Sequence, residues 1–178
     1  MRTKFSNHKE DEYYTPQYAV DIILKYLSHE KYKTIWCPFD KEDSKFVTTL
    51  KKLGYNVINT HIDFGQDFLT FVPNFEFDLI ISNPPFSIKN QILEKCYEYN
   101  KPFCLLLPFT MFNSVSTIKI INKYKDVQFL MIDKRISYNG ERPNFASWYI
   151  CRNFLNSNTD CYLFGNKNPC NLWHKENS

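Results

Sequence analysis

Apolar residues in this chain fall into short runs separated by stretches whose hydrophobic positions recur at helical spacing. The runs at 34–37, 55–60, 77–81 and 103–107 have strand length, and those at 77–81 and 103–107 are nearly continuous, as in strands buried on both faces. Between them the period changes. Val20, Ile23, Leu24 and Leu27 follow Thr15-Pro16, a hydroxyl cap with proline at the first helical position. Phe46, Val47, Leu50 and Leu53 form a second helical stripe, ended by Gly54. The spacing predicts further helices over 88–99 and roughly 114–124, then strands near 127–132, 147–152 and 160–164.

Strands alternating with helices predict an α/β protein with a doubly wound, mostly parallel sheet. The late strands, with no helix between the last of them, predict an antiparallel edge. No repeat or linker interrupts the pattern, so residues 1–178 are expected to form one domain, with 1–12 a polar, flexible arm.

Composition narrows the class. A chain of 178 residues with 43% hydrophobic content can bury a sizeable core. The net charge of +3 comes from scattered lysines and arginines, which permits a nucleic-acid partner without announcing one. Six cysteines (Cys37, Cys96, Cys104, Cys151, Cys161 and Cys170) show neither a CxxC pair nor metal-ligand spacing with histidine. They read as reduced thiols in a cytoplasmic protein that holds no metal. No apolar segment has signal-peptide or transmembrane form, so no membrane association is expected.

The most informative chemistry is Asn83-Pro84-Pro85-Phe86, which follows the strand run Asp78-Leu79-Ile80-Ile81-Ser82. Two prolines end the strand and prevent an immediate helix, which gives a rigid loop at a strand's carboxyl end, where open α/β sheets place ligands. The Asn83 amide can accept from an amino group, and Phe86 offers a flat face for a heterocycle. A strand-ending Pro-Pro turn capped by its Asn accounts for the same residues without a ligand.

This tetrapeptide, after a strand of the type DLIIS, resembles the catalytic motif of S-adenosylmethionine-dependent adenine-N6 methyltransferases, especially small phage and mobile-element enzymes. The resemblance implies a Rossmann-like class I methyltransferase fold and S-adenosylmethionine as cofactor. It also implies that Asn83 and Pro84 hold the target amine, Pro85 shapes the loop and Phe86 stacks on the extruded base.

Further segments resemble the family in the family's order. Tyr14-Thr15-Pro16 is similar to the stretch lining the cofactor's methionine end, although a plain helix cap explains Thr15 and Pro16 as well. The first strand-to-helix turn keeps Pro38-Phe39 of an Asp-Pro-Phe-x-Gly-x-Gly loop but has lost every glycine. Asp40, Lys41, Glu42 and Asp43 stand there instead, and their acids could hold ribose hydroxyls or the methionine ammonium. The same three acids also suit a helix amino terminus. Asp63 is the candidate ribose ligand after the second strand. Gly65-x-Asp67-Phe68-Leu69 resembles the stretch that contacts the cofactor's adenine, so Asp67 and Phe68 are implied there. Phe145 resembles the late aromatic clamp on the base, with Lys134, Arg135 and Arg142 as candidate phosphate contacts at the rim.

The resemblance spans residues 11 to about 152 and implies methylation of adenine N6 in DNA. RNA adenine and protein glutamine are the alternative substrates. A binding module that has lost its cofactor loop is the alternative from another class. No separate target-recognition domain is expected, so a protein partner could supply that role.

Overall fold

The computed structural model describes residues 14–138, 140 and 143–164. Seven strands form one sheet: β1 (Thr34–Cys37), β2 (Asn56–Asn59), β3 (Leu79–Ser82), β4 (Phe103–Pro108), β5 (Gln128–Ile132), β6 (Ser147–Arg152) and β7 (Thr159–Tyr162). Their order across the sheet is β2-β1-β3-β4-β6-β5-β7. Four helices connect or precede them: α1 (Gln17–Asp21), α2 (Lys45–Lys52), α3 (Lys89–Glu98) and α4 (Val115–Tyr124). This is the doubly wound, mostly parallel sheet that the strand-helix alternation predicts.

The antiparallel strand lies two places in from the edge rather than at it. β6 runs antiparallel to both β4 and β5, and the edge is β7, which pairs parallel to β5. All six residues of β4 are buried, and their register with β6 runs from Phe103 opposite Arg152 to Pro108 opposite Ser147. Gln128 secures the far side. Its side-chain oxygen accepts from the amides of Phe154 and Leu155, and its nitrogen donates to the carbonyls of Leu155 and Ser157.

Local chemistry explains the helix ends. Ser44 caps α2, its hydroxyl accepting from the Val47 amide at 3.2 Å, while Phe46, Val47 and Leu50 face the core. Gly54 follows α2 with φ +87°, a left-handed conformation that costs glycine little. The first helix is shorter than its apolar spacing predicts. Thr15 does not cap it; Pro16 occupies the cap position, and 3₁₀ turns replace the α pattern after Asp21. The Tyr149 hydroxyl donates at 2.7 Å to the Ala19 carbonyl, the group that a continued α-helix would offer to Ile23. The Ile23 amide bonds to the Val20 carbonyl instead.

Trp36, fully buried on β1, anchors the long connection from β2 to β3. Its indole NH donates to the Thr60 hydroxyl at 2.9 Å, and the rings of Phe68, Phe71, Phe75, Phe77 and Tyr99 surround it at centroid distances of 5.0–6.2 Å. At the other end of that connection, the Asp78 carboxylate accepts from the amides of Lys33 and Thr34. These bonds tie the start of β3 to the start of β1 and hold the Asp78 carboxyl below its usual range.

Cys37, Cys96, Cys104 and Cys151 are free and buried, as small apolar residues would be. Cys161 on the edge strand is disulfide-bonded, which corrects the expectation of six reduced thiols. Pairing between cysteines that form no local motif leaves no spacing signal to read. No helix among the described residues is long and apolar enough to cross a membrane.

Candidate functional site

β1 pairs with β2 on one side and β3 on the other, so the chain leaves β1 outward and later returns across it. The carboxyl ends of β1 and β3 therefore flank the point where strand order reverses, and a crevice opens there. A cavity of about 220 Å³ occupies it. Its wall comes from the turn after β1, the loop after β2, the loop after β3 and the segment before α1.

The turn after β1 contributes Pro38, Phe39, Asp40, Lys41, Asp43 and Ser44. Without glycine, the turn still leaves the cavity open because Asp40 folds inward. Its carboxylate accepts a hydrogen bond from Ser82 at the end of β3, and only 7% of the residue remains exposed. The Asp40 carbonyl accepts from the Asn59 side chain at 3.3 Å, which fixes the turn to the end of β2. Burial raises the Asp40 carboxyl to about 6, against the lowering effect of hydrogen bonds from Ser82 and Ser44. Glu42 faces away, paired with Lys51 at 2.6 Å.

The loop after β2 supplies His61, Ile62, Asp63, Gln66, Asp67 and Phe68. Asp63 meets Lys41 across the cavity mouth at 2.7 Å, and its amide donates to Nδ1 of His61. Asp67 accepts from the Leu69 amide at 3.0 Å and so shapes the turn while lining the cavity. Phe68 is buried, with Phe39 at 4.8 Å and Trp36 at 5.3 Å, and it presents only a margin to the cavity.

The loop after β3 places Asn83 and Pro85 on the opposite wall, with Ile88 beyond them. Asn83 is half-buried and Pro84 buried. Pro85 is extended, a 3₁₀ turn begins at Phe86, and Lys89 donates to the Phe86 carbonyl at 3.1 Å. Phe86 is 8% exposed; Phe145 and Tyr138 stand edge-on to it at 5.4 and 6.2 Å.

Most of the sequence-derived site residues thus converge. Tyr14, Thr15, Pro38, Phe39, Asp40, Asp63, Asp67 and Phe68 share one cavity with Asn83 and Pro85, and Phe145 joins Phe86 next to it. Pro16 is not on the cavity wall. Lys134 and Arg135 are exposed and also off that wall; Lys134 lies over the rings of Tyr18 and Phe164. Arg142 lies outside the described residues. Ile62, Gln66, Lys45 and Ile88 complete the wall, and Tyr138 completes the ring cluster. None belongs to a motif, and only the folded loops bring them in.

No protein-family model matches the chain, and no curated protein matches it. Solved structures do. A methyltransferase subunit of a type I restriction-modification system from Streptococcus thermophilus aligns with a TM-score of 0.53 at 14% identity, over 85% of this chain and 47% of that one. A putative RNA methyltransferase from Pyrococcus horikoshii aligns with a TM-score of 0.51 at 16% identity, over 86% of this chain and 90% of that one. The chain spans about half the length of the first protein and most of the second. At these identities the likeness is one of fold, and that fold is the Rossmann-like methyltransferase fold.

Proposed function

We propose that this protein transfers a methyl group from S-adenosylmethionine to an exocyclic amino group of a nucleic acid, with adenine N6 in DNA as the target. One observation carries the reading: Asn83 and Pro85, on either side of the buried Pro84, line the same cavity that the turns after β1 and β2 line with acids and aromatic rings. The solved structures of like fold include a methyltransferase subunit of a type I restriction-modification system and a putative RNA methyltransferase, and both support a methyltransferase acting on nucleic acid.

The residues present suit the cofactor. Phe39, Phe68 and Ile62 give apolar surface for an adenine, with Asp67 beside them for its amino group. Asp63 suits a ribose diol. Asp40 and Asp43 suit the cationic methionine end, which Tyr14 and Thr15 also face. The bound cofactor would supply an electrophilic methyl on a cationic sulfonium.

Asn83 and the Pro84 carbonyl orient the target amine by accepting its two N–H bonds. The amine gains positive charge as it attacks, and these two fixed dipoles stabilise that charge. Phe86 holds the extruded base by stacking, with Phe145 as its clamp. Rate then comes from alignment of a neutral nucleophile, so no general base is needed before the attack.

Incubation with S-adenosylmethionine and either duplex DNA or RNA, followed by mass spectrometry of the nucleosides, tests this. N6-methyladenine in DNA is expected, lost in Asn83→Ala while cofactor affinity stays within about twofold. Methyl groups on RNA alone move the substrate; none on either nucleic acid, with the cofactor demonstrably bound, overturns the reading.

A further inference from the structure

Asp40 has a place that the loss of glycine alone does not explain. A side chain lining a ligand cavity at the end of β1 could be any small residue; here it is a carboxyl, 7% exposed, held by hydroxyls from Ser82 and Ser44. Hydroxyls satisfy hydrogen bonds but do not neutralise charge, and a buried carboxylate needs both. The adjacent Lys41 pairs with Asp63, and Lys51, further along α2, pairs with Glu42.

Resting on the methyltransferase reading above, we infer that Asp40 is the counter-charge for the α-ammonium of S-adenosylmethionine, and that its carboxyl gives up a proton to solvent when that ammonium binds. An ammonium supplies together N–H donors and a cation, which among the described residues is not paired with Asp40, whereas a sulfonium supplies no donor. Without ligand, burial leaves the Asp40 carboxyl near 6, so it is partly protonated in mildly acidic buffer. A cation against it favours the ionised form, and the proton leaves. The bond to Ser82 also sets Asp40 next to the strand residue preceding Asn83, so the group sensing the methionine end touches the strand that carries the amine-holding loop.

The other charged and titratable groups around the cavity are Tyr14 before α1, Lys41, Asp43 and Lys45 at the turn into α2, and His61, Asp63 and Asp67 after β2. β3 presents Ser82 and the loop after it Asn83, neither of which titrates. Cys37 below is held as a thiol, first by burial and then by the Asp40 charge. Histidine changes charge in the same range, so His61 needs a control.

Calorimetry at pH 6 in buffers of different ionisation enthalpy counts the protons released. S-adenosylmethionine and S-adenosylhomocysteine share the ammonium and are each expected to release about half a proton. 5′-Methylthioadenosine lacks it and should release none. S-Adenosylmethionine should bind about tenfold more weakly at pH 5 than at pH 7. Asp40→Asn should abolish the release and the pH dependence, whereas His61→Gln should keep the release. Equal release by 5′-methylthioadenosine, release surviving in Asp40→Asn, or release lost in His61→Gln overturns the assignment; the first of these needs no variant to fold. Failure of all three compounds to bind at millimolar concentration overturns the cofactor reading itself, a result distinct from binding without proton release.

Discussion

The ring of Phe145 stands nearly perpendicular to that of Phe86, at 85° with centroids 5.4 Å apart. An edge-to-face pair is worth roughly 1 kcal/mol beyond its buried area. If a base stacks on Phe86 as proposed, Phe145 is expected to turn from edge to face as that base inserts. Base stacking on one aromatic ring contributes about 1–3 kcal/mol. Phe145→Ala is therefore expected to raise KM for the nucleic acid about tenfold and change kcat much less. Steady-state kinetics on an adenine-containing oligonucleotide checks this, and an unchanged KM removes Phe145 from the base site.

Asp40 makes stability depend on pH in a definite sense. Its folded carboxyl is raised to about 6 from an ordinary 3.8, so the folded state holds the proton more tightly than the unfolded chain. The stabilisation is complete below about pH 4, declines between about pH 4 and 6, and is gone above. The full swing is about 3 kcal/mol. Asp40→Asn should flatten that decline and leave the ligand-free protein more stable than wild type at pH 7. Urea denaturation of both proteins at pH 4, 5, 6 and 7 measures the difference.

The Lys41–Asp63 pair joins the turn after β1 to the loop after β2, with side chains 32% and 50% exposed. Such a pair contributes less than about 1 kcal/mol to stability. It also occupies the carboxylate assigned to the ribose, so ligand and Lys41 compete for it. Lys41→Ala should shift the unfolding midpoint little and tighten S-adenosylmethionine binding by no more than about fivefold. Weaker binding would instead make Lys41 a ligand contact.

Trp36 supports the cavity from beneath, through its bond to Thr60 and its contact with Phe68. Trp36→Phe removes the indole donor and part of the ring volume, a loss of about 2 kcal/mol. Denaturant unfolding should show that loss. Calorimetry should show weaker cofactor binding as well, because residues 61–68 lose their seat. A variant destabilised with unaltered cofactor affinity would show that the seat is rigid without Trp36.

Legibility followed locality. The strands over 34–37, 77–81 and 103–107 could be read because a buried parallel strand needs an uninterrupted apolar run, and two prolines mark the end of the second. Asn83 and Asp40 could be placed because each sits just beyond a strand end, and Asp67 because it falls in the Gly65-x-Asp67-Phe68-Leu69 stretch. The antiparallel position of β6 could not be read, since Ser147–Arg152 has the same apolar pattern whichever neighbour it chooses. The first helix meets a hydroxyl 130 residues away, that of Tyr149 on the Ala19 carbonyl, a contact no local pattern announces. Tyr138 and Ile88 reach the site only through loop geometry, and the inward fold of Asp40 depends on Ser82, 42 residues further along the chain.

The interior position of β6 bears on how the chain survives its own synthesis. β4 is buried along its whole length, yet one of its edges is covered only by Ser147–Arg152, which emerges last but one among the strands. Until then β2, β1, β3 and β4 can form a four-stranded sheet whose outer strand, Phe-Cys-Leu-Leu-Leu-Pro, shows bare backbone and continuous apolar side chains to other nascent chains. An exposed apolar edge of that kind is a template for wrong pairing. β5 forms earlier but does not cover it, because its register is with β6 and β7. The time between completion of β4 and arrival of β6 is thus the interval in which this protein is most exposed to aggregation, and slower translation across residues 109–146 would lengthen it.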